Sequence, residues 1–503
     1  MKTNTLVIGI VCSLLSVIPA NSQSQKLGAG SFHSVALCPV DSEVRSWGGN
    51  SNGQLGVGDT LQRLIPTVVH GPGNVGALKG IISVVARENF SLALKHDGTV
   101  WAWGFGADGE MGNNSTMDQW SPVQVHGSGN IGFLSNVVAI SGGYAHVLAL
   151  RSDSTVWAWG DNLNGELGNN TTNNDSTPVQ VHGPGNVGYL TGIIAIAAGQ
   201  QFSLALRKDG TVWAWGWNVA GELGDNTLIE RNTPVQVHGI NNIGFLTNVT
   251  AIAAGGGHSL AIRKDSTALS WGFNINGELG DNTTKSDTLP ALVHGPGNVG
   301  YLTGVTDIKA GDYFSAAISK GSNVWSWGYN AFGQLGANDT SSFGSYTPVE
   351  VHGLHNAGFL GGITSISLGD EHALAFKSDG TLWSWGWNGN GQLGNDSTTD
   401  KWTPINIVSP CNVFLGVASI MFDNIGIEVY PNPASTRITL VNSKHDITQM
   451  EIYNMLGERV YQSRPSNTDD LVTVDVSSQV NGVYLLRLTT AEGTITAKYI
   501  VQR

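Results

Sequence analysis

At 503 residues the chain is too long for one small domain, although a repeat array could use most of it. Charged side chains make up only 13 %, and 67 glycines favour tight turns over long surface helices. The 38 acidic against 25 basic residues leave a net charge of −13 with no basic run. That excludes a nucleic-acid partner, because phosphate binding needs clustered Lys and Arg.

The chain opens like an export signal. Lys2 supplies the positive end, residues 6–18 an apolar stretch, and Pro19-Ala20-Asn21-Ser22 a processing site, with cleavage after Ala20 or Ser22. Residues 1–22 are therefore expected to be a signal peptide. A lipoprotein reading would use Cys12, but Val11 stands where a small residue is wanted and Cys12 lies within the apolar stretch. No later segment approaches the roughly 20 apolar residues that span a bilayer, so no transmembrane segment is expected and the mature protein should be soluble and exported.

From there to about residue 412 the sequence repeats. A Trp-Gly pair recurs at Trp47, Trp103, Trp159, Trp215, Trp271, Trp327 and Trp385, every 56 residues with a last step of 58. Each pair is followed by a GQLG or GELG turn in six copies and GEMG in the second, then by a Pro, from Pro66 to Pro404. Within the fourth copy, GIIAIAAG, FSLALRKDG, TVWAWGWN and TPVQVHG alternate apolar with small or polar residues. Gly, Asp-Gly or Pro bounds each of them, which predicts four short strands. Asp209-Gly210, like Asp97-Gly98 and Asp379-Gly380, marks a hairpin. Four-stranded units that cannot bury both faces alone must stack, and a closed ring hides the ends. The two Trp of WAWG share one face of a strand, where they can fill the wedge between blades.

The pattern GxxHSLAL, DGxVWxWGxN, GQLG and Pro resembles the repeat of the regulator of chromosome condensation family over roughly residues 27 to 408. The resemblance implies an all-β, seven-bladed β-propeller over residues 23–412. A segment of the type VHGPGNVGYLTG, as at residues 181–192, joins successive copies and occurs six times.

After an expected linker at 413–423, the last eighty residues differ in kind. IGIEVYPNPAS, MEIYNMLGERVY, VSSQVNGVYLLRL and ITAKYIVQR predict alternating strands of a small, immunoglobulin-like β-sandwich over 424–503. Tyr430-Pro431-Asn432-Pro433, Tyr453-Asn454-Met455-Leu456-Gly457 and Asn481-Gly482-Val483-Tyr484, with Lys498 near the end, resemble the sorting domain of type IX secretion substrates. That resemblance implies the type IX machinery as a partner of this segment, and delivery outside the cell or to its surface. The domain is expected to be an address, not part of the binding function.

Chemistry is sparse. His70, His126, His182, His238, His294 and His352 share one linker position, dispersed around the ring. His33, His146, His258 and His372 alternate with Phe90, Phe202 and Phe314, and a position that takes His or Phe is a packing position. None shows the short spacing of a zinc site, and no metal or cofactor is expected. Asp225-Asn226 and Asp281-Asn282 offer oxygens to Ca²⁺, but Asx turns account for them more simply. No GxSxG, P-loop or reactive Cys–His pair occurs.

These features favour a secreted, non-enzymatic binding propeller that recognises an extracellular protein or glycan, with an enzyme inhibitor as one variant. An extracellular hydrolase or lyase acting on polysaccharide or peptide is the alternative. A guanine nucleotide exchange factor, the family's namesake activity, is remote, because even repeat spacing leaves no room for the insertion exchange requires. The turn before the HSLAL-type strand begins with Gly in six copies, at Gly30, Gly143, Gly199, Gly255, Gly311 and Gly369, and breaks that rule with Arg87-Glu88 in the second, while the residues that follow vary. Arg87, Glu88, Tyr144, Gln200, Gln201, Asp312, Tyr313, Asp370 and Glu371 are the resulting candidate binding residues, expected on one face near the axis. Phe105, Trp217, Phe273, Tyr329 and Trp387, after each Trp-Gly, are a second variable set, read first as packing against the next blade. Cys38 and Cys411 are expected to form a disulfide that closes the ring, since Cys12 leaves with the signal.

Overall fold

Seven times over, the alternating segments form four antiparallel strands in sequence order. The first blade contains β1 (Leu27–Ala29), β2 (His33–Leu37), β3 (Val44–Gly48) and β4 (Arg63–Val68). A computed structural model describes residues 25–38, 42–339, 344–407, 427–430, 437–442, 447–454, 457–464, 471–490 and 493–501. The signal peptide, Cys411 and the linker at 413–423 lie outside the described residues. The chain separates into two compact units, one holding the seven four-stranded sheets and the other the C-terminal strands.

In the first unit, each blade's first strand lies against the first strands of both neighbours. This continues around the ring, including β1 against Ile363–Leu368 of the seventh blade. These strands therefore surround the axis, and the ring is closed. Small side chains such as Gly28, Ala29, Ser141, Gly142 and Ala310 line the channel they leave. No strand is exchanged between blades: each sheet uses one continuous stretch of chain.

The second Trp of each copy is what joins the blades. Trp47, Trp103, Trp159, Trp215, Trp271, Trp327 and Trp385 are at most 1 % exposed, among the largest fully buried side chains. Trp271 of the fifth blade, for example, packs among Leu204, Val212, Leu223 and Val237 of the fourth. Buried indole N–H groups need acceptors. Trp103 donates to the Gln54 carbonyl at 2.9 Å, Trp215 to Glu166 at 2.7 Å, and Trp47 to Gln392 at 2.8 Å, so the last blade meets the first through the bond used elsewhere. The closing Gly of each GELG turn is set by the same ring. Gly224 has φ +62°, and a Cβ there would lie 2.8 Å from Trp271 Nε1.

In four blades the first Trp of the pair carries a cation: Lys95 lies over Trp101, Arg151 over Trp157, Arg207 over Trp213 and Lys377 over Trp383, 5.1–6.0 Å from the ring centres. In the first blade this Trp is Arg45 and the basic position is Cys38, so both members of the pair change together. Cys38 is fully buried and disulfide-bonded.

The C-terminal unit is a two-sheet sandwich. Strands 427–430, 437–442 and 471–475 form one sheet; 459–463, 447–454, 482–490 and 493–501 form the other. Ile438, Leu440, Met450, Ile452, Val474, Leu486 and Tyr499 from both sheets share one core. Tyr484 and Tyr499 stack at 5.5 Å, with their hydroxyls donating to the Val480 carbonyl and to Gln479 Oε1.

Candidate functional site

Every first strand enters its turn at the same end of the ring, so the seven turns surround one mouth of the axis. Backbone bonds link successive turns: Tyr144 N–H donates to the Gln200 carbonyl at 2.9 Å, Gln200 N–H to Gly255 at 3.1 Å, and Gly256 N–H to Gly311 at 3.2 Å. That convergence accounts for the leading glycines. A Cβ on Gly255, Gly311 or Gly369 would lie 2.3–2.5 Å from the carbonyl oxygen of the next turn's glycine. With the backbone engaged in the ring, the variable side chains that follow are left for other contacts.

The second blade departs from this pattern. Its first strand runs on to Arg87, and Glu88 adopts φ +34°. The Arg87 side chain crosses the mouth, and Nη2 donates to the Ala254 carbonyl of the fifth blade at 3.3 Å. Six of the sequence candidates, Arg87, Glu88, Tyr144, Gln200, Asp312 and Asp370, meet around one cavity of 10 Å³, room for about a single water. Gln200 Nε2 donates to Asp312 Oδ2 at 2.7 Å. The other three, Gln201, Tyr313 and Glu371, stand one residue further along their turns and do not line that cavity.

Burial and mutual repulsion dominate the electrostatics here. Burial, then the Asp370 charge, push Glu88 up to about 8, against a smaller pull from Ser31 and Arg87. Asp312 rises well above the usual carboxylate range through burial and the charges of Asp370 and Glu88. Asp370 rises by burial, offset in part by Ser31 and Arg87, and Glu371 reaches about 7 through burial and Asp370. Around the mouth, one guanidinium faces several carboxyls. Tyr144, 48 % exposed, has its phenol pKa raised chiefly by the Glu88 charge.

On the same face an arc of aromatic rings runs across three blades. Tyr313 meets Tyr329 at 6.2 Å, Tyr329 meets Phe332 at 6.4 Å, Phe332 meets Trp387 at 6.2 Å, and Trp387 meets Phe32 at 5.8 Å. Tyr329 and Trp387 belong to the second variable set, and they pack as members of this arc. Phe32 and Phe332 are not singled out by sequence reasoning, although Phe32 occupies the same turn position as Tyr313.

The remaining candidates have structural occupations. His33, His146, His258 and His372 are buried, each with Nε2 2.8–3.0 Å from a Ser hydroxyl of the adjoining blade: Ser91, Ser203, Ser315 and Ser34. Linker His182, His238 and His294 each hold the Asn four residues on at 2.6 Å. Asp225 and Asp281 accept from the N–H and hydroxyl of Thr227 and Thr283, which makes these loops Asx turns. Among the described residues no group of three or more His, Cys, Asp or Glu is placed to hold a metal ion.

A family model described as RCC1-like domain matches residues 11–245 and 132–421, and one described as secretion system C-terminal sorting domain matches 428–502. The chain is 28 % identical over 378 residues to the ultraviolet-B receptor UVR8 of Arabidopsis thaliana, spanning 75 % of this chain and 79 % of the receptor. It is 29 % identical over 370 residues to RCC1 domain-containing protein RUG3, mitochondrial, of the same plant, spanning 72 % and 78 %. Yeast RCC1 (Prp20), from its structure bound to Kap60, is similar with a TM-score of 0.60 at 19 % identity, over 85 % of this chain and 93 % of that one. Human WBSCR16 gives 0.59 at 22 %, over 72 % and 93 %.

Proposed function

The chain belongs to the RCC1-like domain family and ends in a secretion sorting domain, and from that premise we propose that it is a secreted, non-catalytic binding propeller. Its axial mouth would receive a basic element of an extracellular protein. Residues 1–22 would begin export, and residues 424–503 would direct the protein through the type IX machinery to the medium or the outer surface.

The observation that carries this reading is the convergence of Glu88, Asp312 and Asp370, with Arg87, Tyr144 and Gln200, at one end of the axis. Arg and Tyr are enriched at recognition surfaces, and the surplus of carboxyls favours a cationic partner. Carboxyls with raised pKa in a cleft also suit acid–base chemistry, which is what favours the hydrolase or lyase reading. Against it stands the cavity volume of 10 Å³, which admits a water but not a scissile bond flanked by its substituents. Contact over the rim of the mouth fits that size.

The test is capture of partners from the native medium by the full mature chain, followed by affinity measurement. Replacing Tyr144 and Tyr313 together with Ala should weaken binding at least tenfold with the melting temperature preserved; unchanged affinity places the site elsewhere. Because Glu88 titrates near 8 and Glu371 near 7, both are increasingly charged as pH rises from 6 to 9. Affinity for a basic partner should therefore strengthen across that window, and a flat or falling profile contradicts a cationic ligand.

A further inference from the structure

Beside the axial mouth, on the same face, the first blade carries a pocket of 430 Å³ whose chemistry is different. Its wall is the half-buried ring of Phe32, which continues into Trp387. Around that ring stand Asn50, Thr60, Gln62, Asn89 and Asn390, with Ser51 and Gln54 completing a lining that contains no charged side chain.

The pocket arises from a break in the repeat. The residue after each Trp-Gly is Phe105, Trp217, Phe273, Tyr329 or Trp387 in five copies and Asp161 in the third; in the first it is Gly49. A Cβ at Gly49 would reach Phe32 Cβ at 3.1 Å and Asn390 Cβ at 3.7 Å, so a ring grown from it would enter the space between them. Gly49 has no positive φ that would call for glycine. The missing side chain opens a site that no backbone conformation demands.

We propose that this pocket binds a neutral saccharide. An anion would need a guanidinium, an ammonium or a helix N-terminus, and a cation would need carboxylates; none lines the pocket. An apolar ligand would strand the polar lining. A sugar ring matches it, presenting an apolar C–H face to an aromatic wall and a rim of hydroxyls to amides that both donate and accept. The volume falls within the roughly 300–1,000 Å³ usual for small-molecule sites. Two interactions keep the floor in place: Gln54 Nε2 donates to Asn89 Oδ1 at 3.0 Å, and Asn50 Nδ2 donates to the Asp59 and Leu61 carbonyls at 2.9 and 3.0 Å. Thr60, Gln62 and Asn390 make no side-chain hydrogen bond within the described residues, which leaves them available to a ligand. This site adds to the binding reading above and depends on it only in that the propeller is a recognition module.

Affinity electrophoresis of the full mature chain tests it, through gels containing soluble dextran, starch, mannan, xyloglucan or mixed-linkage β-glucan, with alginate and pectate as charged comparisons. At least one neutral polysaccharide should retard the protein. Gly49→Phe, which restores the ring found at Phe105 and Phe273, should weaken retardation at least tenfold, as should Phe32→Ala. Should Gly49→Phe fail to fold, Asn390→Ala, a partly exposed position, serves in its place. Retardation by none of the neutral polymers, or only by the charged ones, overturns the proposal. So does undiminished retardation in well-folded Gly49→Phe and Phe32→Ala variants. Retardation lost in the Tyr144 and Tyr313 double variant but kept in Gly49→Phe moves glycan binding to the mouth, which overturns this pocket and leaves the binding propeller standing. A chain that binds no polysaccharide and captures no protein ends both.

Discussion

His258 and Phe202 occupy the same place in successive blades, and in both cases the matching position next door is a Ser. Each of His33, His146, His258 and His372 meets a Ser of the adjoining blade; beside Phe90, Phe202 and Phe314 the matching positions hold Val147, Ser259 and Ala373. The alternation reveals a packing position from sequence alone, whereas the Ser partner, 57 or more residues away, becomes visible only once the blades are stacked. Burial pushes all four imidazoles down to about 3, so the folded state binds fewer protons than the unfolded chain between roughly pH 3 and 6.5. Their contribution is complete above pH 6.5 and is lost as pH falls toward 3. The buried turn carboxyl Glu166 has the opposite sign: burial raises it to about 7, so its contribution is complete below about 4.5 and lost as pH rises through 7. His258→Phe should flatten the acid limb of melting temperature against pH, since Ser315 keeps its bond to the Glu278 carbonyl at 2.9 Å. Glu166→Gln, copying Gln54, Gln334 and Gln392, should flatten the alkaline limb. Calorimetric scans from pH 4 to 9 measure both, and limbs unchanged in the variants would assign the profile to other groups.

Strands, hairpins and repeat spacing are legible in the chain because period-two alternation and Asp-Gly turns are local signals. The axial glycines are legible as a pattern, but their cause is a neighbouring blade's carbonyl and hence invisible locally. Of the nine candidate turn residues, the six that meet at one cavity do so because Arg87 reaches across the axis, a length of side chain that no spacing rule anticipates. The pocket at Gly49 has no local signal in the chain beyond a side chain missing from a column that is aromatic in five of seven copies. At the turn after the third strand the same interlocking makes a sharp prediction. Gly224→Ala forces a Cβ within 2.8 Å of the Trp271 indole at a backbone φ of +62°, adding strain to overpacking. It should cost about 2–4 kcal/mol, read as a lower denaturant midpoint with the slope unchanged. A neutral outcome would show that the indole can retreat without breaking its bond to the Glu222 carbonyl.

At the scale of the ring, six blade junctions are crossed by a linker with a short 3₁₀ turn, such as Pro184–Asn186, and the seventh is not. There the first and last blades are held by Ser34 against His372 at 2.9 Å, Trp47 against the Gln392 carbonyl, and Ala29 N–H donating to Ser367 Oγ at 3.1 Å. A disulfide from Cys38 to Cys411 would supply the missing covalent tie, and Cys38 is disulfide-bonded in the folded chain. Loop-entropy arguments give such a long closure on the order of 5 kcal/mol as an upper value. Reduction should therefore lower the melting temperature, and the unfolded, unreduced mature protein should yield no titratable thiol. Two free thiols would sink the pairing.

Because every blade is cut from one continuous stretch of chain, the two faces at this junction are a plug and a socket of the kind used at the other six. Should the clasp open, the arc that results carries a head that fits its own tail and fits the tail of any other opened copy equally well. Reduced, concentrated protein held near its melting temperature has in that complementarity a route to exchanged dimers and chains, joined by the contacts that close the monomer.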